Sequence, residues 1–359
     1  MRPGAGGMTP RRSVAYLLES TGIWGGVRVV LLQAEALARR GHRVAVVSPE
    51  PSPAWFPLGR ARFERSSFRE SRELAASEVR VATFWTTVAP ALEGATGPVF
   101  HLCQGYEGDM SFYADRRASI ERAYAAPTRK LAISASVAAR LTSHGIGPVT
   151  IVGQAFDRTG FERGPERPPA DPPALLLVGP FEADVKGIAV ALSGLGIWRQ
   201  GGGRFFLRRV STFPVTETER AFGLVDEYHH VLAPERMPFA YRASDLLIGP
   251  SRPEEGFGLP VLEALSCGIP CLLSDTPGHR EIAGHAATYF ADGDPESLAA
   301  ALPEALSLSA RRRAREDGPR VAARFGAEAV AEKLESAFAE AMSEPSRVRP
   351  VPDREGAAS

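Results

Sequence analysis

Residues 249–264 read GPSRPEEGFGLPVLEA and carry the side chains best suited to chemistry. Glu255 lies in a loop after an expected strand, and Glu263 follows it inside the first turns of a helix expected to open near Leu259. Ionised carboxylates only accept hydrogen bonds, which suits the hydroxyls of a sugar. Gly256 and Gly258 lie between them and allow the backbone to approach a ligand closely. Free amides at the helix start, with the positive end of its dipole, favour a diphosphate. Such a block can hold a ribose, two phosphates and a hexose in sequence. Either glutamate alone reads as an ordinary solvated residue, whereas the whole block points to a ligand.

A cation is needed where a phosphate leaves. Only Lys130, Lys186 and Lys333 are lysines. Lys186 ends the stretch VGPFEADVKG (178–187), a strand end, loop and helix start. Its ammonium is a compact charge able to neutralise a leaving phosphate. A glycine turn, GIWGGV (22–27), follows the first expected strand and contains Gly25, Gly26 and Trp24. Trp24 reads either as a cleft aromatic or as packing. The segment HLCQGYE (101–107) closes another strand and offers His101, Gln104 and Glu107 as acceptor-side candidates, with Asp109 just beyond. His101 reads equally as a core residue. His279, His285 and the pair His229 and His230 have no metal-ligand spacing, and no metal is expected. The glycine spacing of a dinucleotide fingerprint is missing, which argues against a dehydrogenase.

These loops need rigid elements behind them. The chain has 359 residues, 44% of them hydrophobic and 23% charged, enough for two soluble domains. Zero formal net charge argues against a dedicated nucleic-acid partner. Cys103, Cys267 and Cys271 form no paired motif and fit a reducing compartment. No apolar run approaches the roughly 18 residues of a membrane span. The reading is cytoplasmic, with peripheral contact at the inner membrane face left open for the basic stretch 116–140.

Strands are expected at 13–18, 42–48, 79–84, 99–102, 130–134 and 150–152, and again at 174–178, 204–210, 230–232, 246–249, 270–274 and 287–290. Helices are expected at 27–40, 111–125, 135–144, from 187, and at 216–228, 237–243, 259–267, 295–306 and 310–342. Alternation of strand and helix, interrupted by the proline-rich stretch 164–173, predicts two doubly wound α/β domains facing across a cleft. The expected division is a tail over 1–12, a first domain over 13–165 and a linker over 166–173. A second domain then spans 174–325, a helix over 326–342 crosses back to the first, and a disordered tail occupies 343–359.

PSRPEEGFGLPVLEA, followed by CGIPC (267–271) and SDTPG with a glutamate at 281, resembles the family 4 retaining glycosyltransferases of the GT-B fold. WGGV (24–27) and AEALARRGHRVAVVS (34–48) extend the resemblance into the first half. It implies a sugar moved from an NDP-sugar donor to a hydroxyl acceptor, which is a saccharide, a lipid-linked acceptor or a small molecule, without cofactor or metal. Glu255 would bond hexose hydroxyls and Glu263 ribose hydroxyls, while the amides of Gly256, Phe257, Gly258 and Leu259 face the sugar and diphosphate. Lys186 and Glu255 would be catalytic, with Gly25 and Gly26 near the diphosphate. The family places an arginine where Pro180 and Phe181 stand, so Arg208 or Arg209 is considered as a replacement, with surface charge the other reading for each. Other readings are a non-catalytic nucleotide-sugar-binding protein and a GT-B-fold sugar-nucleotide epimerase. The base, the sugar and the oligomeric state are not legible, and loops 211–215 and 231–237 are where base selection would lie.

Overall fold

The structure is a computed structural model that describes residues 10–344. Of the expected tails, residues 1–9 and 345–359 lie outside the described residues. Two sheets, all of whose pairs are parallel, form the frame. The first runs β3-β2-β1-β4-β5-β6-β7. Its strands are β1 (Ser13–Leu17), β2 (Arg43–Ser48), β3 (Arg62–Arg65), β4 (Val79–Ala82), β5 (Val99–Cys103), β6 (Arg129–Ala132) and β7 (Val149–Ile151). The second contains β8 (Ala174–Val178), β9 (Phe206–Ser211), β10 (Glu227–His230), β11 (Leu246–Gly249), β12 (Cys271–Ser274) and β13 (Thr288–Phe290), ordered β10-β9-β8-β11-β12-β13.

Both sheets reverse their direction of growth beside their first strand. Val14 of β1 lies opposite Val44 on one side and Val79 on the other. Leu176 of β8 lies opposite Arg208 and Leu247. A crevice opens at the carboxyl ends of the strands at such a reversal. The glycine turn, the 178–187 loop and the 250–258 loop leave β1, β8 and β11 at these ends. The fold is α/β, two Rossmann-like halves around a cleft. No helix among the described residues is long and apolar enough to cross a membrane.

Several elements depart from expectation. β3 reads RFER, and its charged residues hide the alternation of a strand while protecting a sheet edge. Helix Trp85–Leu92 was not expected because Thr86, Thr87 and Pro90 weaken its helical pattern. Helix Pro277–Ala283, absent from the expected elements, starts with a Thr276 cap and proline at its first position. In 216–228 only Glu217–Arg220 is α-helical, since Gly223 takes a φ of 63° and the chain then enters β10. Residues 111–116 form a 3-10 turn ahead of helix Arg117–Ala125. The single helix expected over 310–342 is two, Leu308–Ala322 and Ala327–Ser343.

The last helix lies against the first domain. Glu335 receives Arg40 Nε at 2.8 Å and Nη2 at 2.9 Å, and His42 Nε2 lies 3.0 Å away. Phe338 packs on Phe100 with ring centroids 5.0 Å apart.

The loop after β5 is fixed from beneath by a buried carboxyl. Glu107 is 7% exposed, and the Tyr124 hydroxyl lies 2.5 Å from its Oε2 and 3.0 Å from the Gly105 carbonyl. A tyrosine hydroxyl has one proton to donate. The Glu107 carboxyl and the Gly105 carbonyl thus share the single Tyr124 proton, which ties both to helix Arg117–Ala125. Burial pushes the Glu107 carboxyl up to about 7, against the lowering effect of the Tyr124 hydrogen bond. A carboxyl raised in the folded state contributes most below its ordinary value, and the contribution is lost as pH rises through about 7. Urea unfolding should therefore show stability falling by up to about 3 kcal/mol between roughly pH 5 and pH 8. Glu107→Gln should flatten that slope, and an unaltered slope would refute the account.

Candidate active site

β11 ends at Gly249, and the loop after it reaches helix Leu259–Ser266 through Gly258, whose φ is 97°. Gly256 is there because nothing larger fits: a Cβ would lie 1.6 Å from the Gln104 carbonyl oxygen of the first domain. The 178–187 loop is pressed on the same segment. A Cβ on Gly187, which adopts a φ of 62°, would meet the Pro250 oxygen at 2.0 Å, and Arg252 N donates to the Val185 oxygen at 2.8 Å.

This contact brings Lys186 to Glu255, where the ammonium pairs with Oε1. The other oxygen, Oε2, is shut from solvent and has no hydrogen-bond partner. Burial alone would raise the Glu255 carboxyl, yet the adjacent Lys186 charge holds it below the ordinary carboxylate range. Glu255 is therefore an ionised acceptor with one oxygen unused.

Glu263 is 6% exposed and already serves two donors. Arg28 Nη1 lies 3.0 Å from Oε1, and the Tyr241 hydroxyl donates to Oε2 at 2.7 Å. Burial raises its carboxyl, with Arg28 and Tyr241 opposing. His279 underlies the loop, with Nδ1 2.9 Å from the Ser274 oxygen, and burial lowers it, leaving a neutral ring.

Two adjoining cavities occupy the cleft. The first encloses about 480 Å³ and is lined by Lys186, Glu255, Gly256, Phe257, Leu259 and Glu263 from the second domain. Gly25, Gly26 and Gln104 line it from the first, and Gln104 Nε2 donates to the Gly26 oxygen at 3.1 Å. Gly258 shapes the turn without lining the cavity. Val231, also in this wall, holds a φ of 55° that a β-branched residue rarely adopts.

Some candidates fall elsewhere. His101 and Glu107 line neither cavity. His101 is fully buried on β5 with its ring 4.6 Å from that of Tyr124, and burial together with Lys130 lowers it to about 3. It is a neutral core residue. Arg208 does not replace the missing arginine, since its Nε donates to Glu227 at 2.6 Å. Arg209 is fully buried, donating to Glu219 at 2.7 Å and to the Leu177 and Gly179 carbonyls. The second cation in the cavity wall is Arg28, which sequence reasoning missed. Its signal was position, in the first turn of the helix opening at Gly25. In the basic stretch 116–140, Arg140 pairs with Asp109 and Glu254, Lys130 is buried and Arg129 pairs with Glu344, while Arg116, Arg117 and Arg122 are exposed.

The profile described as glycosyl transferases group 1 matches residues 221–320. Over 114 residues, 31% of this chain, the sequence is 40% identical to D-inositol 3-phosphate glycosyltransferase of Thermobispora bispora. It is 36% identical over 72 residues, 20% of this chain, to O-antigen chain mannosyltransferase B of Escherichia coli. These matches span 26% and 19% of the two relatives' own lengths. The fold is shared with Anabaena Alr3699/HepE, solved in complex with UDP-glucose, at a TM-score of 0.74 and 14% identity, covering 92% of this chain and 100% of that one. WaaG, a glycosyltransferase involved in lipopolysaccharide biosynthesis, is similar at a TM-score of 0.64 and 18% identity over 90% of this chain and 99% of that one. Residues 221–320, which include the loop after β11, thus match the glycosyl transferases group 1 family, and they sit in a frame of GT-B fold.

Proposed function

We propose that the protein is a retaining glycosyltransferase that moves a hexose from an NDP-sugar to a hydroxyl acceptor. The observation that carries this reading is Glu255, an ionised carboxylate in the cavity wall that pairs through Oε1 with Lys186 and leaves Oε2 without a hydrogen bond. A hexose hydroxyl supplies the donor it lacks. UDP-glucose in the Anabaena complex and the mannosyl transfer in the Escherichia coli protein's name support a nucleotide-sugar donor.

In this reading the diphosphate lies over the start of helix Leu259–Ser266, between its free amides and Lys186. An ammonium has three donors. Glu255 engages one, and the others remain for phosphate oxygens. Their charge is in place before the diphosphate departs, so little reorganisation accompanies the reaction. Ribose hydroxyls compete with Arg28 for Glu263. The displaced guanidinium then turns to the diphosphate and supplies the second cation that Pro180 and Phe181 do not. Attack occurs on the face the diphosphate leaves, which retains the anomeric configuration, and the diphosphate oxygen receives the acceptor proton. Closure of the two halves around the donor limits hydrolysis.

Purified protein screened with UDP-, GDP- and dTDP-sugars should release nucleoside diphosphate from one class. With that donor, Lys186→Ala should lower kcat by about 100-fold or more, the cost of removing a preorganised stabiliser. Glu255→Gln should weaken binding of the NDP-sugar more than binding of the free nucleoside diphosphate, because the hexose bonds that side chain directly whereas the diphosphate meets it only through Lys186. Unchanged turnover in Glu255→Gln would remove it from the site.

Arg28→Ala should lower kcat/KM by about tenfold or more, whereas Arg28→Lys should keep part of the activity as a point charge without the planar fork. Arg208→Ala should leave both constants within about threefold, since its guanidinium pairs with Glu227 and Arg208 does not line the cavity. If Arg28→Ala matched the parent in steady-state kinetics, the second-cation role would fail.

A further inference from the structure

The second cavity in the cleft encloses about 630 Å³ and shares Trp24, Gly26, Gln104, Phe112, Pro180 and Ala183 with the first. A molecule held there abuts the reacting end of the donor. Its wall is aromatic: Trp24, Phe84, Phe112, Tyr113 and Phe213 face it. Trp24 comes from the turn after β1 and Phe213 from the loop after β9, so the two touch each other from opposite domains with centroids 5.7 Å apart and form one stretch of the wall. Trp24, Phe112 and Phe213 are 41%, 48% and 40% exposed, among the few large hydrophobic side chains left open to solvent. Exposed apolar side chains converging on one concavity mark a ligand site.

Three polar groups in this wall are already engaged. Thr83 Oγ1 donates to the Leu17 oxygen at 2.7 Å, Gln104 Nε2 donates to Gly26, and Ser20 Oγ accepts from Gly22 N at 3.3 Å. A molecule entering here meets aromatic faces over much of the wall, and the hydrogen-bond partners left to it are mainly acceptors, the Glu19 and Glu182 carboxylates and Gln104 Oε1, which suit a hydroxyl. The charged groups in the wall are Glu19 and Glu182, both exposed, and no lysine, arginine or histidine is among the described residues lining it. An anionic acceptor would meet carboxylates alone.

We infer that this cavity is the acceptor subsite and that it takes an uncharged, hydroxyl-bearing molecule with a flat apolar body, to the exclusion of phosphorylated sugars and inositol phosphates. The inference rests on the reading of the cleft as a glycosyl-transfer site. The acceptor oxygen bonds to the anomeric carbon as the bond from that carbon to the phosphate oxygen breaks. The bonding pair leaves with the nucleoside diphosphate, which also takes the hydroxyl proton. The acceptor thus differs in charge and polarity from the compound in the name of the Thermobispora relative.

Calorimetric titration of the full chain with three probes tests this: 2-naphthol, its anionic counterpart 6-hydroxynaphthalene-2-sulfonate, and inositol 1-phosphate. 2-Naphthol should bind at least about tenfold more tightly than either anion. Phe213→Ala, at an exposed position, should weaken 2-naphthol by about fivefold through loss of an aromatic contact. Reversing both exposed acids, Glu19→Lys with Glu182→Lys, should close the gap between naphthol and sulfonate by about threefold or more at low salt. Equal affinity for the two naphthalenes, or inositol 1-phosphate binding as tightly as 2-naphthol, overturns the inference. Titrations with UDP, GDP and dTDP on the same preparations separate the readings. A nucleotide that binds without any naphthol preference removes the acceptor assignment alone. No nucleotide binding removes the glycosyl-transfer reading and the acceptor assignment with it.

Discussion

The two halves of the molecule meet backbone to backbone, where Gly256 lies against the Gln104 carbonyl. Much of the cleft depends on this contact. It sets the depth to which the donor loop enters the first domain, and it brings Arg28 within 3.0 Å of Glu263 and Arg140 within 3.0 Å of Glu254. The carboxylate of Glu281 reinforces it by accepting from the Ala135 and Ser136 amides, each at 2.9 Å, at the start of a first-domain helix. Main-chain contact of this kind has little tolerance for side chains, which is why a glycine stands at its centre.

Charge is distributed unevenly around that contact. The donor side holds Lys186 and Arg28, each beside a glutamate, so that positive groups are ready in a partly buried place without standing unpaired. The neighbouring aromatic cavity holds acids only at its exposed wall. The two cavities therefore present different electrostatic environments only one residue wall apart, as the proposed transfer of a sugar from a charged donor to an uncharged acceptor requires. That separation suits a transition state whose negative charge accumulates on the departing side.

Much of this was legible in the sequence. The alternation of buried strands with amphipathic helices gave the two sheets, and the glutamate and glycine block gave the loop after β11. What escaped was what long-range packing decides. Arg28 looked like any helix residue until the second domain placed Glu263 opposite it. His101 looked like a candidate because of its position at a strand end, yet β5 is wholly buried there. Arg208 and Arg209 were considered for a vacant role, but neighbouring acids and carbonyls had already claimed them. β3 escaped because its charged composition answers to edge protection and not to burial.

The returning helix Ala327–Ser343 has a mechanical consequence. The polypeptide crosses between the halves twice, once through the stretch between β7 and β8 and once near Gly326, where Phe325 rests on Phe257 with centroids 5.3 Å apart. A body tethered at one point can swivel in any direction, whereas one tethered at two points turns chiefly about the line joining them. The cleft is thus hung like a door on two pins, and its opening is reduced to a single angular coordinate.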